Sequence, residues 1–150
     1  MDPKGKVRGE SQPFVSRAVG ETLTFSRGFA KRLKPGDVLA LTGDLGSGKT
    51  TFIKGIALGL GLKNPDEVKS PTFALMHLYP TRIPLYHFDF YRLEKPEDIR
   101  AIGFEEFVHD PRVISCIEWP EKAKDFLPAR TRHIRMSFAG KNSRQIEFFP

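Results

Sequence analysis

The chain has 150 residues, of which 28% are charged and 39% are hydrophobic, with 24 Lys and Arg against 18 Asp and Glu. This length and composition match one compact globular domain and exclude a chain that is disordered over most of its length. No apolar run approaches the roughly 20 residues of a membrane helix, and residues 1–13 lack the apolar segment of a signal peptide. We therefore expect a cytoplasmic protein with no membrane partner.

The net charge of +6 is concentrated at the two ends of the chain. Residues 1–17 carry +2 and residues 129–150 carry +4, so the residues between them are neutral. Basic ends favour a polyanion or an acidic protein surface as partner, and a charged surface that only keeps the domain soluble explains them equally well. We expect a basic tail over residues 1–11 and a single domain over residues 12–150.

Apolar periodicity predicts helices and strands in alternation along the first half of the chain. Residues 21–33 carry three apolar side chains at four-residue spacing, which predicts an amphipathic helix. Residues 37–43 are a short and almost continuous apolar run, typical of a strand covered on both faces. Residues 51–61 place their apolar side chains on one helical stripe. The predicted order is helix, strand, glycine-rich turn and helix.

The second half of the chain is predicted to consist of strands with short helices between them. The predicted strands are residues 73–79, 85–93, 113–119, 133–138 and 144–149, and the predicted helical segments are residues 93–107 and 120–127. The last two strands alternate apolar and polar side chains around a turn at residues 139–143, which indicates an antiparallel hairpin. Apolar strands that alternate with helices predict an α/β sandwich, partly parallel, with antiparallel additions.

Residues 43–50, GDLGSGKT, fit the pattern G-x-x-x-x-G-K-[ST]. The glycines permit backbone conformations in which successive N–H groups converge on phosphate oxygens. Lys49 is expected to reach the β- and γ-phosphates, and the Thr50 hydroxyl to bind Mg²⁺. The helix that follows also directs its positive end at the phosphates. The pattern predicts a nucleotide site, and the weaker alternative is a glycine-rich turn with an incidental lysine.

Two carboxylates are candidates to hold Mg²⁺ or to position water beside such a loop. Glu118 follows an apolar run, as a side chain does where a buried strand ends at a functional edge. Asp89 lies among aromatic residues, where a carboxylate is costly unless it meets a cation, a metal or hydrogen-bond donors. The alternatives are a solvent-facing strand end for Glu118 and a pair with Arg92 for Asp89.

Several other residues carry weaker signals. Residues 70–72, SPT, lie where small GTPases place a segment that senses the γ-phosphate, and a turn whose hydroxyls bond their own backbone explains them equally well. Trp119 is either a core side chain or an aromatic wall beside the nucleotide. The four histidines lack metal-ligand spacing and are expected to be partly buried imidazoles, although His87 shares a strand face with Asp89. Cys116 is expected to be a buried, inert thiol.

Four stretches in this order, GDLGSGKTT, SPTF, YHFDFYRL and IEWPE, closely resemble the TsaE (formerly YjeE) family, the P-loop ATPase of bacterial tRNA threonylcarbamoyladenosine synthesis. The resemblance spans about residues 12–150. It implies a P-loop NTPase-like α/β three-layer sandwich around a mixed, partly parallel sheet with antiparallel additions, including a C-terminal hairpin. It also implies ATP and Mg²⁺ as cofactors, the proteins TsaB and TsaD as partners, and tRNA as a contact through them or through the basic ends. In that family TsaC makes threonylcarbamoyl-adenylate, TsaD transfers the group to tRNA, and ATP hydrolysis supports turnover.

The resemblance also implies roles for individual residues. Lys49, Asp89 and Glu118 would be catalytic, with Thr50 and Glu118 as the metal ligands. The nucleotide would be bound by Thr22, Asp44, Leu45, Gly46, Ser47, Gly48, Lys49, Thr50, Thr51 and Trp119, with Thr22 at the adenine end. Ser47 stands where alanine is usual in the family, and Ala74 stands where a hydroxyl residue is frequent.

The function expected from these residues is that of an ATPase component of a tRNA-modifying assembly. The main alternative is a P-loop small-molecule kinase, in which Arg92, Arg100 and Arg112 would serve as an arginine-rich lid. A GTP-dependent switch is disfavoured because the chain has no Asn-Lys-x-Asp motif to read guanine. A nucleotide-loaded binding module, in which hydrolysis is incidental, is the non-enzymatic alternative.

Overall fold

The computed structural model describes residues 12–71 and 74–149. Within these residues the strands are β1 (Phe14–Ser16), β2 (Val38–Thr42), β3 (Met76–Tyr79), β4 (Leu85–Asp89), β5 (Ile114–Glu118), β6 (Arg132–Phe138) and β7 (Arg144–Phe149). The helices are α1 (Val19–Ala30), α2 (Lys49–Gly59), α3 (Pro96–Ala101) and α4 (Phe104–Val108), with 3-10 helices at Pro65–Glu67 and Pro120–Phe126. The basic tail expected at residues 1–11, and Thr72 and Phe73 of the SPTF stretch, lie outside the described residues.

These strands join in one mixed sheet, in the order β1-β7-β6-β2-β5-β4-β3. The central strands β6, β2, β5 and β4 run parallel to one another. Strands β1, β7 and β3 add to the two sides in antiparallel orientation, and β6 and β7 form the C-terminal hairpin. The predicted mixed sheet with antiparallel additions is therefore confirmed.

Each face of the sheet packs against its own layer of helices. Leu39 and Leu41 of β2 point into the core shared with α1 and α2. Val38, one residue out of phase, points into the core shared with α3, α4 and the second 3-10 helix. The strand is covered on both faces, which explains its almost continuous apolar sequence. The three-layer sandwich is confirmed.

Helices α1 and α2 cross at two glycines of α2. A Cβ atom at Gly59 would lie 2.6 Å from the Ala30 Cβ, and one at Gly55 would lie 1.7 Å from the Ser26 hydroxyl. Such distances are far below van der Waals contact, so the two helices approach closely only because these positions have no side chain. The crossing fixes the axis of α2, whose first residues are Lys49 and Thr50.

Some boundaries differ from the sequence-based predictions. Strand β1 was not expected, because three residues are too few for a period-two pattern to be recognised. The strand predicted over residues 85–93 ends at Asp89, whose Oδ1 accepts a hydrogen bond from the Tyr91 N–H at 2.9 Å and so begins a turn. The segment after Trp119 is a 3-10 helix interrupted at Ala123, which has a φ of -115°.

The sequence also makes predictions about the single cysteine and about membrane-spanning helices. Cys116 is fully buried on β5, and burial raises the pKa of its thiol far above the ordinary value, as expected of an inert cysteine. Among the described residues, no helix is both long enough and apolar enough to cross a membrane.

Candidate functional site

Residues 43–50 form the loop that connects β2 to α2. A Cβ atom at Gly43 would lie 2.4 Å from the Met136 carbonyl oxygen, so no larger residue fits at that position. Gly48 precedes α2 and has a φ of 103°, in the left-handed region that favours glycine. These two glycines hold the loop against β6 and set its entry into α2. The first N–H groups of that helix lack intrahelical acceptors and can bind an anion.

Lys49 folds back over this loop. Its ammonium donates hydrogen bonds to the Gly43 carbonyl and, at 3.2 Å, to the Asp44 carbonyl. The same nitrogen lies 4.3 Å from the centre of the Trp119 ring, a cation–π distance. Burial lowers the pKa of Lys49, while the charges of nearby carboxylates, Glu118 first among them, oppose that shift. The ammonium thus lies beside the loop, where its partners are two neutral carbonyl oxygens and an aromatic ring that an anion can replace.

Glu118, at the end of β5, directly contacts the first turn of α2. The Thr50 hydroxyl lies 3.0 Å from each of its carboxylate oxygens and donates to them. Its Oε2 also lies 2.6 Å from Nε2 of His87, which is fully buried on β4. The two residues expected as metal ligands are therefore in contact. His87, expected to be only partly buried, is instead fully buried and contacts one of them.

Asp89 lies at the end of β4, directly opposite Glu118 in the register of the two parallel strands. The side chain is buried, with 3% of its surface exposed. Its Oδ2 accepts a hydrogen bond from the Ser70 hydroxyl, and its Oδ1 accepts one from the Tyr91 N–H. Ser70 belongs to the segment expected to sense phosphate, so this carboxylate is tied to that segment.

Trp119 forms a wall of the site. It has a φ of 58°, a left-handed conformation that is strained for a bulky residue. Its ring lies 4.9 Å from the ring of Tyr91, centre to centre, and faces the Lys49 ammonium. The wall interpretation is therefore favoured over that of an ordinary core side chain.

These groups surround a cavity of about 350 Å³ at the carboxyl ends of the parallel strands. Open α/β sheets commonly bind ligands in this place. The lining residues are Leu45, Gly46, Ser47, Gly48, Lys49, Thr50, Thr51, Ser70, Asp89, Tyr91, Glu118 and Trp119. Asp44 contributes its carbonyl to Lys49 and borders a separate groove with Glu121 and Arg135. All the predicted site residues except Asp44 and Thr22 line this cavity.

Thr22 lines a second cavity of about 500 Å³ on the other side of the loop. Gly46, Gly48 and Thr51 border both cavities, so the two are adjacent. The Thr22 hydroxyl is buried and lies 2.6 Å from the Ser16 hydroxyl of β1. The position is compatible with the expected place of Thr22 at the far end of a nucleotide.

Arg144, at the start of β7, also lines the second cavity and holds the loop from outside. Its guanidinium donates a hydrogen bond of 3.1 Å to the Gly46 carbonyl and lies 4.4 Å from the centre of the Phe138 ring. Sequence reasoning counted Arg144 only as part of a basic end of the chain. No local pattern links it to a loop 98 residues away.

The site supplies the groups that phosphate chemistry needs. A helix N-terminus and a lysine offer positive charge to phosphate oxygens, and a hydroxyl and two carboxylates offer oxygen ligands for a hard cation. No cluster of three or more His, Cys, Asp and Glu side chains that could hold a metal occurs in residues 12–71 and 74–149. Mg²⁺ in nucleotide sites commonly takes only one or two protein carboxylates, together with phosphate oxygens and water.

A sheet with parallel central strands, one of which leads through a G-x-x-x-x-G-K-T loop into a helix, defines the P-loop NTPase-like class of α/β proteins. Comparison with known proteins identifies the family within this class. The family model described as "Threonylcarbamoyl adenosine biosynthesis protein TsaE" matches residues 16–146. The chain belongs to the TsaE family.

Similar proteins agree with this assignment over most of the chain. A protein of Treponema pallidum (strain Nichols), named tRNA threonylcarbamoyladenosine biosynthesis protein TsaE, is 40% identical over 132 residues, covering 88% of this chain and 96% of its own. A protein of the same name from Bacillus subtilis (strain 168) is 41% identical over 129 residues, covering 85% and 78%. The crystal structure of Bacillus subtilis YdiB superposes with a TM-score of 0.75 at 35% identity, covering 89% of this chain and 81% of that one.

Proposed function

We propose that the protein binds and hydrolyses ATP with Mg²⁺ as a component of the machinery that makes threonylcarbamoyladenosine in tRNA. The proposal rests on one observation. The loop at residues 43–50 and the ends of β4 and β5 meet at one cavity, which is lined by Lys49, Thr50, Asp89 and Glu118. The pathway follows from the names of the relatives, which are tRNA threonylcarbamoyladenosine biosynthesis proteins. A role with tRNA also fits the cytoplasmic location expected from the sequence.

Mg²⁺ fits the oxygen atoms that the chain presents. Ligands of octahedral Mg²⁺ at about 2.1 Å stand roughly 3.0 Å apart at adjacent positions. The Thr50 hydroxyl and the Glu118 carboxylate oxygens lie 3.0 Å apart, so both residues can reach one ion with little movement. When bound, the ion would neutralise charge on the phosphates. Thr50 and Glu118 would hold it there.

Hydrolysis requires a group that orients water, and Asp89 supports that role. Its carboxylate faces the same cavity as Lys49 and is kept in place by Ser70 and the Tyr91 N–H. A carboxylate only accepts hydrogen bonds when ionised, so it can hold the proton of an attacking water. Lys49 would exchange its loop carbonyls for phosphate oxygens and so place positive charge where negative charge develops.

TsaB and TsaD are the proposed partners, because the TsaE resemblance pairs the ATPase with these two proteins. ATP hydrolysis would then drive a conformational cycle of the assembly, and the transfer to the tRNA base would belong to TsaD. Two of the three arginines of the kinase alternative, Arg100 and Arg112, give it no support. Arg112 pairs with Asp110 at 3.0 Å, and Arg100 lies 3.9 Å from Glu105, both on exposed surfaces outside the two cavities.

The proposed function is tested by reconstitution with purified TsaB and TsaD. ATP hydrolysis is measured for the chain alone, with the two proteins, and with tRNA added, together with candidate nucleoside and sugar acceptors in separate reactions. Phosphate release that rises with TsaB and TsaD supports the proposal. A phosphorylated acceptor, or the same slow hydrolysis in every mixture, contradicts it.

A further inference from the structure

His87 makes a short contact that none of the roles above requires. It is fully buried in the middle of β4, and its Nε2 lies 2.6 Å from Oε2 of Glu118. An ionised carboxylate only accepts hydrogen bonds, so the ring nitrogen is the donor. On the other side of the ring, Nδ1 lies 3.4 Å from the Tyr79 hydroxyl. The imidazole is therefore fixed at both of its nitrogen atoms.

Glu118 has two kinds of partner, and they differ in whether they face the cavity. Thr50 lines the cavity and is itself a proposed metal ligand. Its contact with Glu118 therefore follows from the position of both residues at the metal. His87 is fully buried and does not line the cavity, so it cannot bind the metal itself. Its contact with Oε2 can therefore serve only to hold the Glu118 side chain. Carboxylates that bind metals are commonly oriented by such outer hydrogen bonds.

The same network reaches the segment that precedes β3. The Tyr79 hydroxyl, in a residue that is 5% exposed, also lies 3.3 Å from the Lys69 carbonyl oxygen, so this oxygen and Nδ1 of His87 compete for its one proton. The next residue, Ser70, donates to Asp89. Both carboxylates of the site are thus connected to adjacent residues of one segment, Asp89 directly and Glu118 through His87 and Tyr79.

We propose that His87 is a positioning residue: its Nε2 holds the Glu118 carboxylate in the orientation that binds Mg²⁺, and Tyr79 fixes the imidazole for that task. This inference rests on the Mg²⁺–ATP site proposed above. The competing explanation is that His87 and Glu118 form a buried pair that only stabilises the sheet. The two explanations differ in what happens to metal affinity in a variant that remains folded.

The test uses Mn²⁺ as a paramagnetic probe and a non-hydrolysable ATP analogue, with the full chain. His87→Asn removes the donor at the Nε2 position, whereas His87→Gln keeps an N–H there. We expect His87→Asn to raise the Kd for Mn²⁺ about tenfold, as for other partners of metal ligands, and His87→Gln to restore most of the loss. Affinity for the analogue without metal is expected to stay unchanged in both. His77→Gln is the matched control, because His77 also lies 3.4 Å from the Tyr79 hydroxyl.

The outcomes separate the inference from the proposed function. If the wild-type chain does not bind the analogue, the Mg²⁺–ATP site is wrong and the inference fails with it. If Glu118→Gln weakens Mn²⁺ binding and a folded His87→Asn does not, only the positioning role is overturned. Should His87→Asn fail to fold, Tyr79→Phe takes its place and is expected to weaken Mn²⁺ binding, by less than the roughly tenfold of a direct partner. Unchanged Mn²⁺ affinity in folded Tyr79→Phe would then overturn the role.

Discussion

Asp89 and Glu118 are direct neighbours at the ends of two parallel strands, yet each carboxylate accepts hydrogen bonds from residues of its own. Glu118 contacts Thr50 and His87, whereas Asp89 contacts Ser70 and the Tyr91 N–H. Neighbouring acids with different partners are suited to different tasks, and in the proposed function these are metal binding for Glu118 and the orientation of water for Asp89.

This division predicts different effects for two conservative substitutions. Glu118→Gln is expected to raise the Mg²⁺ concentration for half-maximal hydrolysis about tenfold. Asp89→Asn is expected to lower kcat about a hundredfold with little change in Mg²⁺ dependence. Steady-state kinetics with TsaB and TsaD across a Mg²⁺ series measures both. Wild-type kinetics in both variants would mean that the carboxylates are structural.

Replacement of Ser47 by alanine is expected to stabilise the folded protein. Its hydroxyl is fully buried and has no hydrogen-bond partner in the described part of the chain. An unsatisfied buried hydroxyl costs about 1–3 kcal/mol, so Ser47→Ala is expected to raise the free energy of unfolding by about 1 kcal/mol. Urea denaturation measures the change. Ser26→Ala is the control of opposite sign, because the Ser26 hydroxyl donates to the Thr22 carbonyl at 2.9 Å. A less stable Ser47→Ala would contradict the account.

The crossing of α1 and α2 predicts that Gly59 tolerates no side chain. Gly59→Ala would place a Cβ 2.6 Å from the Ala30 Cβ, and overpacking of this kind costs about 1–3 kcal/mol. Gly28 lies on α1 with nothing within 4 Å of its added Cβ, so Gly28→Ala is expected to gain up to about 1 kcal/mol from helix propensity. Thermal unfolding of both variants checks the contrast. Equal effects at the two glycines would show that the crossing is looser than described.

Three arginines of the basic C-terminal end, Arg132, Arg135 and Arg144, have different surroundings. Arg135 pairs with Glu147 at 3.2 Å, and Arg144 is bound to the loop at Gly46. Arg132 instead lines a groove of about 580 Å³ whose other lining residues are Lys31, Arg32, Leu33, Lys34 and Asp37. Substituting Arg135 or Arg144 would therefore disturb other contacts, and the groove is the better place to test a role in steering a polyanion.

We expect Lys31→Gln combined with Lys34→Gln to weaken association with TsaB, TsaD and tRNA. The slope of log affinity against log salt is expected to fall by about two, because each lost phosphate contact releases about one counterion fewer. Binding across a salt series measures the slope, with Lys54→Gln and Lys63→Gln, which lie outside both basic ends and the groove, as a charge-matched control pair. An unaltered slope would leave the groove as a surface that only keeps the domain soluble.

The sequence predicted the central part of the fold and site because local rules govern it. The pattern of residues 43–50 demands a strand before it and a helix after it, and the structure has β2 and α2 there. Glu118 could be placed because it follows an apolar run. In both cases the information lies within a few residues of the chain.

Other features depend on contacts between distant residues. His87 reaches Glu118 across 31 positions through the register of β4 and β5, and only its shared strand face with Asp89 hinted at the site. Arg144 reaches Gly46 across 98 positions. Neither pairing leaves a periodic or compositional signal, so both required the arrangement of the sheet.

The most direct test of the central claim is ATP binding by titration calorimetry, with and without Mg²⁺, in wild type and Lys49→Ala. Lys49 carries the positive charge beside the loop, so Mg²⁺-dependent binding is expected in wild type and a loss of at least about a hundredfold in Lys49→Ala. Lys54→Ala, which removes a lysine of α2 outside the cavity, is expected to bind as wild type does. Wild-type affinity in a folded Lys49→Ala protein would contradict the assignment of this loop as an ATP site.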